Sequence, residues 1–83
     1  MKIAVITGAS SGMGKEFVYQ IQKKYSKIEE IWVIARREEE LQKLPKNPIP
    51  VRILPLDLTK EEDLKIYKEK LKEKNPKICM LIH

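Results

Sequence analysis

The chain has 83 residues, 42% hydrophobic and 35% charged, a balance that fits one small globular domain and excludes a disordered tract. A domain of that size buries only roughly 60–65% of the surface its unfolded chain exposes, so its core is thin and its stability modest. The formal charge of +5 suits an anionic ligand, but Lys and Glu are intermixed without a basic block and aromatic residues are 6%, which argues against nucleic acid as a partner.

The first apolar run is Ile3-Ala4-Val5-Ile6, continuous rather than alternating, as in a strand covered on both faces. A glycine-containing segment follows. From Gly12 to Tyr25 the residues Met13, Phe17, Ile21 and Tyr25 recur every four positions, with Val18 beside them, and predict a helix with one apolar stripe. Ile31-Trp32-Val33-Ile34-Ala35 reads as the second strand, and Arg37 to Leu44 as a short charged helix anchored by Leu41 and Leu44. Pro45, Pro48 and Pro50 mark a loop into the third strand, Val51-Arg52-Ile53-Leu54. The third helix runs from about Lys60 to Lys74 with Leu64, Tyr67 and Leu71 on one face. Thr59 and Glu62 fit a capping box at its start, and Asn75-Pro76 ends it. Ile78-Cys79-Met80-Leu81-Ile82 is the fourth strand.

Strand and helix thus alternate from end to end. With right-handed crossovers, that order gives an α/β fold: a three-layer half-Rossmann, with a four-stranded parallel sheet of order 3-2-1-4 and helices on both faces. Neither an internal repeat nor an interdomain linker interrupts residues 1–83, which read as one unit. The single cysteine, Cys79, has no internal disulfide partner, and no Cys/His cluster offers metal-ligand spacing. The run Ile3 to Ile6 is too short for a signal peptide or a membrane span, so a cytoplasmic protein with no membrane partner is expected.

All three glycines fall in Thr7-Gly8-Ala9-Ser10-Ser11-Gly12-Met13-Gly14, between the first strand and the first helix. Backbone N–H groups and the helix dipole make such a loop an anion site. Gly8 permits the turn off the strand, Gly12 lets a pyrophosphate approach the backbone, and Gly14 lets the helix pack against the sheet. A phosphate loop of the NTPase kind fails on spacing. Five residues separate Gly8 from Gly14 where that motif has four, and Lys15 is followed by Glu16 instead of Ser or Thr. The plainer alternative is a glycine turn without a ligand.

Thr-Gly-x-x-x-Gly-x-Gly at residues 7–14 resembles the signature of short-chain dehydrogenases/reductases. The resemblance extends along the chain, with Ala35-Arg36-Arg37, Leu56-Asp57-Leu58-Thr59 and the last strand in matching places. It implies a nicotinamide dinucleotide as cofactor and partner, with Ser10, Ser11 and the backbone of Met13 lining the phosphates. It also implies that Asp57, with the backbone of Leu58, contacts the adenine; an aspartate stabilised by the dipole of the third helix is an equal and compatible reading.

A carboxylate at the end of the second strand would bind the ribose hydroxyls and select NAD. Ala35 stands there instead, followed by Arg36 and Arg37. Nothing at that position repels a 2′-phosphate, and a guanidinium can bind one bidentately, so NADP is expected over NAD, with Arg36 the better candidate. The family's NADP-preferring members resemble this pattern. Two solvated arginines at a helix start are the alternative.

The family's catalysis uses a Ser and a Tyr-x-x-x-Lys on a later helix. Tyr19 and Lys23 have that spacing, but they directly follow the glycine loop and lie on the solvent side of the first helix. The resemblance therefore implies no catalytic residue here: the chain reads as the cofactor-binding portion of a reductase acting on a carbonyl/alcohol pair, truncated and inactive alone. His83 stands where an Asn-Asn-Ala-Gly motif would begin and is given no role. A fourth strand at the sheet edge with no charge or proline within Ile78 to Ile82 invites self-association. The alternative class is thus a non-catalytic nucleotide-binding or interaction module, completed as a homo-oligomer through that edge.

Overall fold

A computed structural model describes residues 1–8 and 12–82. Four strands form one parallel sheet in the order β3-β2-β1-β4. The elements are β1 (Lys2–Thr7), α1 (Gly12–Lys24), β2 (Glu30–Ile34), α2 (Glu38–Leu41), β3 (Val51–Leu54), α3 (Glu61–Lys74) and β4 (Lys77–Ile82). The register pairs Thr7 with Ile34 and Ile34 with Leu54, so the carboxyl ends of β1, β2 and β3 lie side by side.

Strand β1 shows why continuous apolarity was needed. Ala4 and Ile6 join β2's Ile31 and Val33 in a core with α1 and α2, while Ile3 and Val5 pack with Trp32, Ile34 and Leu54 on the opposite face. All four β1 residues from Ile3 to Ile6 are fully buried. Ile3, Val5 and Ile6 each contribute about 1.5–3 kcal/mol by leaving water, so a polar residue at any of them would cost a large share of the fold's stability.

The sequence placed the inward stripe of α1 slightly wrong. Val18 and Ile21 are buried, as is Gly14, but Met13 is 77% exposed and Phe17 and Tyr25 are 39% and 45% exposed. A step of four residues advances about 400°, so a strict four-residue repeat drifts around the helix by about 40° per step. Residues 14, 18 and 21 stay within a narrow arc, and that arc faces the sheet.

Helix α3 covers the other face and has no fully buried residue; Tyr67 and Leu71 lie half-buried against Trp32 and its neighbours. The expected Thr59 capping box does not form. The N-cap is Lys60, whose ammonium has no acceptor to offer the helix N–H groups, while the Thr59 N–H and hydroxyl both donate to Asp57 Oδ1, at 3.0 and 2.6 Å. Asn75 ends the helix in the left-handed conformation at φ 45°, its N–H returned to the Leu71 carbonyl at 2.8 Å.

Strand β4 is an edge. Its register with β1 slips between Ile3 and Ala4, leaving Cys79 as an extra residue in β4. Met80 and Ile82 pack against the α1 side of the core, whereas Ile78 and Leu81 are 41% and 52% exposed.

Candidate functional site

The carboxyl ends of parallel strands, with their helix N-termini, are where an open α/β sheet presents backbone donors to a ligand. Here Gly8 leaves β1 at φ +68°, a conformation that costs an L-residue strain, and among the described residues nothing lies within 4 Å of where a Cβ would stand. Glycine is thus favoured here for its backbone angle. The Gly8 N–H donates to the Ile34 carbonyl at 2.8 Å, fastening the turn to the end of β2. Ser10 and Ser11 lie outside the described residues. Gly12 begins α1, exposed Met13 follows, and Gly14 sits on the inward face of the helix. The first turn of α1 contains no acidic side chain to satisfy its dipole, so an external anion is not opposed there.

The second corner follows β2. Ala35 is buried and its N–H reaches the Leu54 carbonyl at 3.3 Å, so no carboxylate stands at the strand's end. Arg36 and Arg37 are both exposed. Arg37 is the N-cap of α2 in extended conformation without a side-chain cap bond. Glu40, in the same short helix, takes Lys15 of α1 at 3.0 Å and Lys43 at 3.5 Å. The hydrogen bond from Lys15, reinforced by the charge of Lys43, holds the Glu40 carboxyl below its ordinary value.

The third corner follows β3. The Asp57 N–H donates to Asp63 Oδ2 at 2.8 Å, and its carbonyl accepts the Lys60 N–H at 2.9 Å. Its own carboxylate is occupied by Thr59. Those hydrogen bonds hold Asp57 below its usual pKa, and the positive charges of Arg36 and Lys60 lower it further. Leu58 is half-buried against the α3-side core, which leaves its backbone to define the corner.

The structure thus brings Gly8, the start of α1, Arg36, Arg37, Asp57 and Leu58 to one end of the sheet. Tyr19 and Lys23 are exposed on α1 and do not belong to this end. Two clefts of about 390 and 360 Å³ lie at the opposite pole, where Lys24 and Ile28 border both. Among the described residues no group of three His, Cys, Asp or Glu could hold a metal ion. None of the described helices is long and apolar enough to cross a membrane. Sequence reading missed the Lys15–Glu40 pair and the Asp63 tether. Lys15 and Glu40 are 25 residues apart in different elements and leave no local pattern to find, and Asp63 reaches back six residues to a backbone N–H that carries no side-chain signal.

Residues 2–83 match the family model for short chain dehydrogenases. An 11-beta-hydroxysteroid dehydrogenase of Pinus massoniana is 35% identical over 80% of this chain, which covers 19% of that relative. A dehydrogenase/reductase SDR family protein 7-like of Dictyostelium discoideum is 34% identical over 98% of the chain and 28% of its own length. Among solved structures, a short chain dehydrogenase from Bacillus anthracis superposes with a TM-score of 0.74 at 26% identity, over 96% of this chain and 32% of that one. The bulky-bulky ketone specific alcohol dehydrogenase from Comamonas testosteroni shares the fold, with a TM-score of 0.73 over 98% of this chain and 33% of its own. The chain therefore spans between a fifth and a third of the length of these relatives. It belongs to the short-chain dehydrogenase/reductase family, oxidoreductases whose fold binds NAD(P).

Proposed function

We propose that this chain binds NADP(H) in preference to NAD(H), and that it is the cofactor-binding portion of a cytoplasmic reductase acting on a carbonyl/alcohol pair. One observation carries the preference. Ala35 stands where a ribose-binding carboxylate would, and the next two residues, Arg36 and Arg37, are exposed at the carboxyl end of β2. A guanidinium there gives a 2′-phosphate a charge-assisted partner, and the absent carboxylate removes the repulsion that would oppose it.

The bound dinucleotide would supply the hydride-transfer chemistry. The chain's residues do the binding. The turn at Gly8, Ser10, Ser11, Gly12, Met13 and Gly14 would receive the pyrophosphate at the α1 N-terminus, with Arg36 and Arg37 on the 2′-phosphate. Asp57 and the backbone of Leu58 would meet the adenine. Because the Asp57 carboxylate already accepts two bonds from Thr59, the shape of this corner is set before any ligand arrives. No residue is assigned to proton transfer, since exposed Tyr19 and Lys23 lie along α1 away from these corners.

The test is a two-dimensional amide NMR titration of the 83-residue chain with NADPH and, separately, NADH. Tighter shifts of residues 8–14 and 36–37 with NADPH, lost in Arg36→Met, are the expected result. Equal affinity for both nucleotides would remove the preference, and unmoved peaks would remove the cofactor reading.

A second reading has one observation in its favour. Ile78 and Leu81 are 41% and 52% exposed on a strand whose outer edge has no neighbour in the sheet. Self-association through β4 would cover both and would leave the cofactor end of the sheet free.

A further inference from the structure

The proposed cofactor site draws on two segments distant in sequence: the start of α1 and the Arg36–Arg37 corner before α2. A side-chain contact joins them. Lys15 Nζ lies 3.0 Å from Glu40 Oε2, with the two side chains 35% and 30% exposed, and Lys43 reaches the other Glu40 oxygen at 3.5 Å. We propose that Lys15–Glu40 is a positioning pair that holds the Arg36–Arg37 corner against the phosphate-binding turn and so sets the preference for a 2′-phosphorylated dinucleotide. This rests on the cofactor reading above.

Local structure alone does not hold that corner. Helix α2 is four residues long, a length at which helical hydrogen bonding is only marginally favourable, and its N-cap, Arg37, makes no side-chain cap bond. Leu41 anchors its inner side in the core. The Lys15–Glu40 contact fastens it from α1, at the residue before Leu41 and three residues after Arg37.

Electrostatics points the same way. Glu38, Glu39 and Glu40 directly follow Arg36 and Arg37, where an unpaired carboxylate would repel a 2′-phosphate. The ammonium groups of Lys15 and Lys43 offset the charge of Glu40, the one of the three that is tied to α1 among the described residues. Lys15 itself occupies the first turn of α1, the unfavourable end of the helix dipole for a cation, and Glu40 compensates for that. A nucleotide without the 2′-phosphate makes no demand on Arg36 or Arg37, so its binding should be indifferent to the pair.

The experiment is isothermal titration calorimetry of the full 83-residue chain with NADPH and with NADH, for the wild type, Lys15→Gln, Lys15→Arg, Glu40→Gln and the double variant Lys15→Gln/Glu40→Gln. The pair is partly exposed, so Lys15→Gln should weaken NADPH by roughly two- to fivefold and leave NADH unchanged, and Lys15→Arg should restore NADPH affinity. In the Glu40→Gln background, removing Lys15 should have no further effect, because Lys15 acts through Glu40. Equal weakening of both nucleotides by Lys15→Gln would overturn the inference. So would an undiminished loss in the Glu40→Gln background, which would make Lys15 a direct phosphate ligand. A wild type without NADPH preference defeats the cofactor reading as well. Loss of preference in Arg36→Met, with Lys15→Gln silent, defeats this inference alone.

Discussion

The N–H of Gly8 donates a 2.8 Å hydrogen bond to the carbonyl of Ile34, so the first residue beyond β1 is fastened to the last residue of β2. The turn proposed to receive phosphates and the corner proposed to read the ribose are therefore coupled through the main chain. A backbone bond of this kind cannot be altered by changing the side chain at either end. The coupling is vulnerable instead to the angle at which the chain leaves β1.

That angle gives the first prediction. Gly8→Ala meets no steric neighbour among the described residues, since none lies within 4 Å of the added Cβ, but the φ of +68° remains unfavourable for an L-residue. The cost should be about 1–2 kcal/mol, read as a lower midpoint in urea unfolding followed by Trp32 fluorescence. Gly8→Asn should cost less, because asparagine tolerates the left-handed region better. Equal destabilisation by Ala and Asn would show that something other than the backbone angle makes glycine necessary.

The part of the fold legible in the sequence was the part written as continuous local runs. Strand β3 was read at Val51 to Leu54 to the residue, and the sheet order followed from the alternation of elements. The core residue Trp32 was assigned to the second strand, but its neighbours were not visible. Glu30 Oε1 accepts both the Trp32 ring N–H and Arg52 Nε at 2.8 Å, with the Arg52 guanidinium 5.7 Å from the indole centroid. That cluster depends on β2 and β3 pairing in a register that places Trp32 opposite Arg52. The exposed Met13 and the failed Thr59 cap are errors of a different kind. In the first, apolar spacing was taken for burial; in the second, Asp57 competed successfully for a hydroxyl that local pattern assigned to the helix.

Gln22 is another residue with no sequence signal and a large structural part. Its amide nitrogen donates to the carbonyls of Pro45 at 2.8 Å and Ile49 at 2.7 Å, and its oxygen accepts the Ile49 N–H at 2.8 Å. It thus holds the loop that delivers the chain into β3 against α1, with Ile49 buried behind it. Gln22→Ala leaves those loop groups without a partner and should cost about 1–3 kcal/mol. Amide hydrogen exchange should locate the loss, with Ile49 deprotected more than residues of β1. Uniform deprotection would instead mean that the loop and the sheet open together.

The pH dependence of stability follows from Glu40 and Asp57, both held below their ordinary values in the folded chain, by Lys15 and by Thr59 respectively. A depressed carboxyl stabilises the fold fully above its unfolded-state pKa, and that contribution disappears as pH falls through the folded-state value. The thermal midpoint should accordingly be flat near neutrality and fall from roughly pH 4.5 downward. Both groups are partly exposed and screened, so the individual slopes should be shallow. Lys15→Gln and Thr59→Val should each flatten the acid limb relative to the wild type. Acid limbs parallel to the wild type's would show that neither partner is responsible.

The edge strand supplies the last prediction. Ile78 and Leu81 pair in register with Ile3 and Val5, so they belong to the sheet face that α3 covers, yet α3 leaves them exposed at 41% and 52%. Beside them runs an outer edge without a neighbouring strand, and the extra residue at Cys79 is the local device that interrupts its regularity. An exposed apolar pair along an unpaired edge favours association of copies, driven by burial of that surface and by new main-chain hydrogen bonds. Sedimentation velocity should therefore show a concentration-dependent rise in mass for the wild-type chain. Leu81→Lys should suppress it by placing a charge on the exposed face while leaving the β1–β4 pairing intact. The same substitution should leave NADPH binding unchanged, because Leu81 takes no part in the corners formed by Gly8, Arg36 and Asp57. A wild type that stays monomeric at every concentration would remove self-association as a property of this strand.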